Sequence, residues 1–321
     1  MQRKIDIDKE REYENSLMLT DGMARQAQEK FYWATAPYID DFNEKTSAAI
    51  IGKRVLEIGC SDGHYASLYS KTAKFVTGID LSDEGIKLAN NRNIENAKFY
   101  VVDAHKLPFE DSSYDIVIVN SLLHHLDLSL ALKEIDRVLS SNGILLAREP
   151  LGTNPAFSLY RYLTPEARTP DERPFTFSDL SLLNKYFEFK SVEYFGFLSV
   201  FSAYLRLDII RAFFTSIDWV LSKTPMKYLF WQFAGEFKKK EYYNPFGDQT
   251  NAVLGMRNKQ LRYTDFEQME YMPEIASALD IYGDEITTST IFNPIIQVDC
   301  PNREIKDIIN TLLFKVLNAE A

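Results

Sequence analysis

The stretch "VLEIGCSDG", residues 55–63, joins a short apolar run to a turn of small residues. The run has the length and composition of a buried β-strand, and Glu57 stands near its end. Gly59 and Gly63 keep the turn free of bulky side chains, so we expect its backbone N–H groups to approach a ligand closely. A phosphate, a nucleoside or no ligand at all would each be compatible with this turn taken alone.

Residues 53–149 repeat the pattern of that opening strand. Short apolar runs alternate there with segments such as "LALKEIDRVLS", which carries apolar residues at helical spacing. Strands that are apolar on both faces and joined by helices are typical of a parallel sheet covered on both sides. We therefore predict a doubly wound α/β fold, in which ligands bind at the carboxyl ends of the strands. The predicted strands are "RVLEI", "KFVTGID", "KFYVVD", "YDIVIVN" and "GILLARE".

The composition narrows the classes of function. The 321 residues carry a net charge of −10, which disfavours a protein that binds nucleic acid through a broad basic face. Cys60 and Cys300 lie far apart without metal-ligand spacing, so we predict neither a disulfide framework nor a metal site. The charged N-terminus lacks the apolar core of a signal peptide. We expect a small-molecule substrate, no nucleic acid, and a cytoplasmic location.

The most apolar stretch is "YFGFLSVFSAYLRLDIIRAFFTSIDWVL", residues 194–221. Arg206, Asp208 and Arg211 interrupt it, and these charges argue against a helix that spans a membrane. An amphipathic helix lying on a membrane surface is compatible with the same residues. We predict no transmembrane segment and keep peripheral membrane contact open.

The chain divides by pattern into three regions. Residues 1–50 form a helical N-terminal cover, residues 51–199 the α/β core, and residues 200–321 an aromatic-rich helical region with a C-terminal extension. We predict helices throughout residues 200–240. The last predicted helix, residues 302–321, has one apolar face that packs on the body as a substrate lid or on a second subunit as a homodimer contact. The last strand of the sheet stays open, because "NPIIQVDC" and "NAVLGMRN" are both eligible.

The opening turn differs from two common phosphate-binding patterns. No Lys-Ser or Lys-Thr pair follows Gly63, as a P-loop requires, and Ser61 stands where a dinucleotide fingerprint has its middle glycine. Acids stand instead at the next strand ends. Asp80 is placed to accept hydrogen bonds from both hydroxyls of a ribose, and Asp103 from the amine of an adenine. These residues favour a nucleoside ligand.

Taken in order, the motifs resemble those of the class I S-adenosylmethionine-dependent methyltransferases, and most closely the small-molecule branch (methyltransferase type 11-like). The resemblance rests on "EIGCSDG", Asp80, Asp103-Ala104, "LPFEDSSYDIVIVNSLLHHL" and "LKEIDRVLSSNGILLAREP", and it covers about residues 30–200. Ser61 is the departure, since glycine is frequent there in the family. The resemblance implies a mostly parallel, seven-stranded Rossmann-like sheet, the cofactor S-adenosyl-L-methionine and the product S-adenosyl-L-homocysteine.

The same resemblance implies roles for the site residues. Gly59 and its flanking backbone would contact the methionine part of the cofactor, and Asn120 would face its carboxypropyl and sulfonium end. Tyr32 and Trp33 would close over the cofactor, since aromatic faces attract a sulfonium cation. Ala104 would join the adenine contact. The full predicted cofactor-binding set is Tyr32, Trp33, Glu57, Gly59, Cys60, Ser61, Gly63, Asp80, Leu81, Asp103, Ala104, His105 and Asn120.

Two adjacent histidines follow the fourth predicted strand in "NSLLHHL". Histidine titrates near neutrality, and a hydroxyl acceptor needs a base that removes its proton. His124 and His125 are therefore the predicted catalytic residues. Only one of two adjacent side chains normally points into a site, and we favour His124 because it is nearer the strand end.

Structural roles compete with these assignments. Gly59 and Gly63 could form a tight turn and nothing more, and Asp80 and Asp103 could cap the elements that follow. The ordered acids at successive strand ends favour a binding site, because ligands of this fold gather there. Four arginines lie around the proline-rich loop: Arg148, Arg161, Arg168 and Arg173. For these side chains, ion pairs with local acids are favoured over recognition of an anionic acceptor.

The sequence as a whole predicts an S-adenosylmethionine-dependent methyltransferase that acts on a hydrophobic or anionic small molecule. O-methylation is favoured over N- or C-methylation, since the Asn-Pro-Pro-Tyr signature of many amide and base N-methyltransferases is replaced by "NSLLH". Two alternatives stay open. One keeps the fold and cofactor but transfers another group, and the other is a catalytically inactive cofactor-binding or scaffold protein.

Overall fold

The structure, a computed structural model, describes residues 7–19, 26–164, 172–240, 287–288 and 298–299. The chain forms two compact units, Met1–Lys240 and Glu241–Ala321. The five strands predicted within residues 53–149 and the predicted site residues all belong to the first unit.

Strands and helices alternate along most of the described part of the first unit. The helices are α1 (Ile7–Leu19), α2 (Gln26–Ala49), α3 (His64–Tyr69), α4 (Asp83–Asn91), α5 (Leu128–Val138), α6 (Pro155–Leu163), α7 (Phe177–Tyr186), α8 (Ser202–Leu205) and α9 (Asp208–Leu221). The strands are β1 (Arg54–Ile58), β2 (Phe75–Asp80), β3 (Ala97–Val101), β4 (Tyr114–Asn120), β5 (Leu139–Pro150), β6 (Phe187–Phe195) and β7 (Gln232–Lys239). Short 3-10 helices cover Leu123–His125, Ser199–Phe201 and Pro225–Leu229.

These seven strands form one sheet with the order β3-β2-β1-β4-β5-β7-β6. Only β7 runs against the others, antiparallel to both β5 and β6. The predicted doubly wound, mostly parallel, seven-stranded Rossmann-like sheet is therefore confirmed. Because β1 pairs with β2 on one side and with β4 on the other, the strand order reverses at β1. The carboxyl ends of β1 and β4 flank the crevice in which such folds bind ligands.

Helices cover both faces of the sheet. On one face α2, α3 and α4 pack over Val55, Ile116 and Ile118. On the other face α5 and α7 pack over Val117 and Ala147. Successive side chains of a strand point to opposite faces, so the central strands are buried on both sides. This burial explains why their sequences are continuous apolar runs.

Residues 232–239 form strand β7, so the prediction of helices throughout residues 200–240 is wrong for this segment. The strand lies between β5 and β6, with Phe233 and Phe237 on the α5 side and Ala234 on the opposite side. Burial on both faces removes the alternation of apolar and polar residues that marks a half-exposed strand. Neither "NPIIQVDC" nor "NAVLGMRN" supplies a described strand of this sheet.

The preceding helices α8 and α9 agree with the prediction for their part of the chain. Asp218 anchors α9, because its buried carboxylate accepts hydrogen bonds from the backbone N–H groups of Leu198 and Ser199, at 2.8 and 3.0 Å. Both helices leave apolar side chains at the surface, among them Leu205 and Ile209. None of the described helices combines the length and the apolar character that a bilayer crossing requires. Peripheral membrane contact stays a prediction.

In the second unit, the described residues are two short strands. Thr287–Thr288 (β8) pairs antiparallel with Val298–Asp299 (β9). The helix predicted at residues 302–321 lies outside the described residues, and so does the dimer contact assigned to it. The division into three regions and the homodimer therefore stay predictions.

Replacing Phe233 with Ala should lower the free energy of unfolding by about 3–5 kcal/mol, because the ring is fully buried against Phe175 and Phe237. Phe213→Ala is the control, since that ring is 62% exposed and its loss should cost about 0.5 kcal/mol or less. Denaturant unfolding of the full chain measures both variants. Equal, small losses would contradict the position of β7 inside the sheet.

Candidate active site

A cavity of about 1120 Å³ lies at the carboxyl ends of β1, β2, β4 and β5. Side chains from α1, α2, α6 and α8 complete its wall. Pockets for one small ligand usually enclose roughly 300–1,000 Å³. The volume of this cavity therefore lies slightly above the range that is usual for small-molecule sites.

The turn after β1 is shaped by backbone conformations that favour glycine. Gly59 and Gly63 both have positive φ, 80° and 76°. A Cβ on Gly59 would lie only 2.9 Å from Leu122 Cδ2, so the turn has no room for a side chain at this position. Ser61 also has a positive φ, 49°, at the position where the family frequently has glycine.

The N–H groups of this turn are used within the protein, contrary to the expectation from the sequence. Those of Gly59 and Cys60 donate to the carbonyl oxygen of Ile79, at 2.8 and 3.0 Å. The N–H of Ser61 donates to Asp80 Oδ2 at 2.8 Å. These bonds tie β1 to β2 and fix the turn. The glycines thus provide the positive φ angles and the close packing of the turn, and not donors for a ligand.

Asp80 ends β2 and connects the turn to the helix that follows. Besides Ser61, its carboxylate accepts the N–H of Ser82 through Oδ1 at 2.9 Å. Helix α1 crosses the same place: Asn15 Oδ1 accepts the hydroxyl of Ser82 at 2.7 Å, and Met18 Sδ lies 3.5 Å from Ser61 Oγ. The crevice is therefore covered by α1 where Asp80 reaches it.

Several polar atoms in the cavity wall are buried without a hydrogen-bond partner among the described residues, and Glu57 and Ser121 each supply one of them. Glu57 is 3% exposed, and its Oε2 has no partner among the described residues. Burial raises the pKa of the Glu57 carboxyl well above its usual value, and the charges of Asp80 and Asp62 raise it further. Ser121 Oγ, just past β4, is also buried without a partner in the described part of the chain. Such groups cost stability unless a ligand satisfies them.

A chain of hydrogen bonds supports the loop after β3. Asp103 Oδ1 accepts the N–H of His105 at 2.9 Å and lies 2.6 Å from His105 Nδ1. His105 Nε2 accepts the N–H of Asp127, at 2.8 Å, where α5 begins. The ring proton of His105 is therefore assigned to Nδ1. Between these two side chains, Ala104 is the residue that lines the cavity.

Buried His124 is oriented by an acid from the neighbouring strand end. Its Nδ1 lies 2.7 Å from Oε2 of Glu149, which is fully buried. The other oxygen of Glu149 accepts the N–H groups of Leu122 and Leu123, at 3.0 and 2.8 Å. Burial lowers the pKa of His124, and this effect outweighs the attraction of Glu149. His124 is thus neutral at neutral pH, with its proton on Nδ1.

His125 has the opposite electrostatic environment. Burial disfavours its charged form, but the hydrogen bond to Glu10 on α1 prevails and raises the pKa of His125. The two atoms, His125 Nδ1 and Glu10 Oε1, are 2.7 Å apart. This ion pair fastens α1 to the rim of the cavity.

The two histidines and Glu172 bring potential metal ligands within 4.8 Å of one another. Glu172 Oε1 lies 3.8 Å from His124 Nε2 and accepts a hydrogen bond from Arg161 at 2.8 Å. A metal ion would have to compete with that guanidinium. We therefore interpret the group as an ion-pair network.

Aromatic side chains form the part of the wall away from the strand ends. The ring of Phe31 on α2 lies 6.1 Å from Tyr160 on α6, 6.1 Å from Tyr204 on α8 and 6.0 Å from Trp231. Tyr32 also contacts Trp231, at 5.8 Å. This wall favours an apolar ligand.

The structure brings most of the predicted site residues to one cavity. Its wall includes Tyr32, Trp33, Glu57, Gly59, Cys60, Ser61, Asp80, Leu81, Ala104, Asn120, His124 and His125. Gly63, Asp103 and His105 lie outside the wall. Trp33 also contacts Arg211, whose guanidinium carbon is 4.4 Å from the ring centroid.

Sequence patterns do not identify the acids that orient the histidines. Glu149 is separated from His124 by 25 positions, and Glu10 lies far away in the first helix. The one available signal is that an acid ends the fifth predicted strand, "GILLARE". Such pairs depend on strand order and helix docking, which local periodicity does not encode.

Comparison with known families bears on the central part of the chain. The sequence model of one family, described as a methyltransferase domain, matches residues 56–147. These residues run from β1 into β5 and include the glycine turn, Asp80 and both histidines.

Similar proteins match the same part of the chain. Phthiotriol/phenolphthiotriol dimycocerosates methyltransferase 1 of Mycobacterium ulcerans is 41% identical over 105 residues, 32% of this chain and 39% of that protein. Fatty-acid O-methyltransferase of Mycolicibacterium smegmatis is 39% identical over 103 residues, 31% and 38% of the two chains. Demethylmenaquinone methyltransferase of Staphylococcus aureus is 35% identical over 104 residues, 30% and 43%. The matched part spans about two fifths of each relative.

We expect the two histidines to titrate on opposite sides of ~6.5, the pKa of an unperturbed imidazole. Burial places the pKa of His124 below that value, and the bond to Glu10 places that of His125 above it. NMR of the ring protons against pH measures both, with His124→Gln and His125→Gln for assignment. Glu10→Gln should lower the His125 midpoint and move that of His124 much less, through the contact between the two rings.

The same shifts fix the sign of the effect on stability. The bond between His125 and Glu10 stabilises the fold fully below about pH 6.5, and this contribution is lost as the pH rises through the raised pKa. Burial of His124 favours its neutral form, so the stability of the fold is unaffected by this residue above about pH 6.5. Stability falls as the pH drops toward the lowered pKa of His124, because the ring must then carry a buried charge. If the NMR titrations of His124 and His125 have the same midpoint, the two environments described above are contradicted.

Proposed function

We propose that this protein, whose residues 56–147 match a methyltransferase domain, is a class I S-adenosylmethionine-dependent methyltransferase that transfers a methyl group to an oxygen of a small, largely apolar acceptor. The observation that carries the proposal is the cavity at the reversal of strand order. There a glycine turn, a buried acid and a buried histidine share one wall. The aromatic wall opposite them supports an apolar acceptor.

The chemistry of the crevice fits the cofactor. S-adenosylmethionine supplies a methyl group that its sulfonium already activates, so the protein has mainly to align the acceptor and exclude water. Glu57 Oε2 and Ser121 Oγ, buried without partners in the described part of the chain, can hydrogen-bond polar groups of a ligand. Gly59 and Cys60 line the cavity, and we place the methionine part of the cofactor against their backbone.

We assign the ribose hydroxyls to Asp80 and the adenine edge to Ala104. The oxygens of Asp80 already accept N–H groups from Ser61 and Ser82, but each carboxylate oxygen can accept a second hydrogen bond. Asp103 shares Oδ1 with His105, and we assign its Oδ2 to the adenine amine. The acid at the end of β2 thus fixes the turn and the ligand together.

We assign His124 as the general base for a hydroxyl acceptor. Its lowered pKa keeps the ring neutral, and the bond from Nδ1 to Glu149 leaves Nε2 as the atom that takes the proton. Glu149 is a positioning residue, because it acts through the orientation of His124. The raised pKa of His125, due to Glu10, makes that ring a weaker base at neutral pH.

The acceptor class follows from the wall of the cavity and from the names of the relatives. Phe31, Tyr160, Tyr204 and Trp231 offer apolar surface for a chain or ring system. The similar proteins are named for a fatty acid, for demethylmenaquinone and for phthiotriol/phenolphthiotriol dimycocerosates. We therefore propose a lipid-like acceptor that carries a hydroxyl or carboxyl group.

Methyl transfer is tested with methyl-deuterated S-adenosylmethionine, the full chain, and separate apolar acceptors that include hexadecanoic acid, a long-chain alcohol and a hydroquinone. We expect mass spectrometry to find S-adenosylhomocysteine and a product carrying one labelled methyl group in equal amounts. A cofactor product other than S-adenosylhomocysteine would contradict methyl transfer and favour transfer of another group. Cofactor binding without turnover of any acceptor would favour the inactive scaffold.

His124→Gln should lower kcat for a hydroxyl acceptor by about 10²–10⁴-fold and leave S-adenosylhomocysteine affinity unchanged, because only the base is lost. Glu149→Gln should lower kcat in the same direction and shift the pH profile, since the orientation of the ring depends on it. His125→Gln is the matched control: it removes the ion pair with Glu10 but not the proposed base, so kcat should fall much less than in His124→Gln. Equal losses in both histidine variants, or a parallel loss of cofactor affinity, would contradict the assignment of His124.

A further inference from the structure

Arg148, near the end of β5, is a buried cation without a counter-charge among the described residues. Arg148 is 8% exposed, and its Nε makes no hydrogen bond with the described residues. Arg161 and Arg173 pair with Glu172 and Asp179 at 2.8 Å, which agrees with the predicted pairing with local acids. For Arg148 no such pair is found among the described residues, since none of their carboxylates lies within 4.0 Å of its guanidinium, and Arg168 lies outside the described residues. An unpaired buried guanidinium costs free energy, so stability does not explain its position.

The strand register places Arg148 on the face of the sheet opposite Glu149. Adjacent residues of a strand point to opposite faces, and Glu149 points to the α5 side, so Arg148 points toward α2 and α3. Asn120 of β4 and Ala234 of β7 are its register partners. Ala234 is small, and Gln232, two positions away on β7, points to the same face.

Gln232 is a second group in this place that has no partner in the described part of the chain. It is 2% exposed, and its Oε1 makes no hydrogen bond. Arg148 and Gln232 both line the cavity. A fixed cation and a free acceptor therefore lie in one half of the cavity wall, while His124 and Glu149 belong to the other face.

We propose that Arg148 binds the carboxylate of a ligand in this cavity and that Gln232 Oε1 accepts a hydrogen bond from the same ligand. A planar guanidinium matches a carboxylate with two parallel hydrogen bonds. One guanidinium also balances the single charge of a carboxylate. The ligand carboxylate would thus provide the counter-charge that Arg148 lacks among the described residues.

Two ligands of the proposed function carry such a group, and the inference rests on that function for their identity. One is the cofactor, whose amino-acid end bears a carboxylate beside an ammonium that can donate to Gln232. The other is a fatty-acid acceptor. The existence of the anion site itself follows from Arg148 and Gln232 alone.

Calorimetry with the full chain separates the first source. We expect Arg148→Met to weaken S-adenosylhomocysteine binding about tenfold or more, and to leave binding of 5′-methylthioadenosine, which lacks the carboxylate, unchanged. Arg54→Met is the control, because Arg54 pairs with Asp115 at the opposite end of β1. It should change neither affinity.

The second source is tested by thermal shift with hexadecanoate. If S-adenosylhomocysteine binds both proteins equally, hexadecanoate should raise the melting temperature of the wild type and not that of Arg148→Met. Equal response of the two proteins to both ligands would overturn the inference. Wild type that binds neither adenosyl compound contradicts the proposed function instead, and the hexadecanoate measurement then decides on Arg148.

The unliganded melting temperature gives an independent readout. Without ligand, Arg148→Met should be at least as stable as the wild type, because Met removes an uncompensated charge and fills a similar volume. Arg148→Lys keeps the charge and loses the planar fork, so it should recover binding only in part. A large destabilisation of the unliganded Met variant would indicate a structural partner for Arg148 and overturn the inference.

Discussion

The reversal of strand order at β1 is the constraint on which the site depends. Because β1 pairs with β2 on one side and β4 on the other, the connections after β1 and β4 leave the sheet in different directions. The gap between them cannot be filled by either connection. Gly59 lets Leu122 pack closely against the turn beside that gap, since a side chain at Gly59 would meet Leu122. The cavity is thus a consequence of topology, and the side chains around it determine only what it binds.

The wall of the cavity concentrates charge where burial makes charge costly. Four of these groups are buried: Glu57, His124, Glu149 and Arg148. Burial shifts the pKa of Glu57 and of His124 toward the neutral form. Glu149 accepts hydrogen bonds, whereas Arg148 Nε has no partner among the described residues. The two faces of the sheet divide these groups by task. The proposed base, His124 oriented by Glu149, lies on the α5 side, while the proposed anion-binding group, Arg148, lies on the α2 side. Burial of apolar side chains in the core offsets the free energy that these buried polar groups cost.

The sequence predicts the parts of this arrangement that depend on local patterns. Strands β1 to β5 follow from apolar runs, and Asp80 and the histidines follow from their positions after those strands. Strand β7 was not predicted, because a strand buried on both faces between two others lacks alternation. The partners Glu10 and Glu149, and the isolation of Arg148, depend on contacts between distant segments. The prediction that the N–H groups of the turn would bind a ligand was wrong for a similar reason. Ile79 and Asp80 of the adjacent strand already accept hydrogen bonds from them.

A crystal structure of the full chain with S-adenosylhomocysteine tests the central claim most directly. The account predicts the ligand in the crevice between the ends of β1 and β4, with its ribose hydroxyls on Asp80 and its adenine against Ala104. An empty crevice at saturating ligand, or a ligand bound elsewhere with Asp80 turned away, would contradict it.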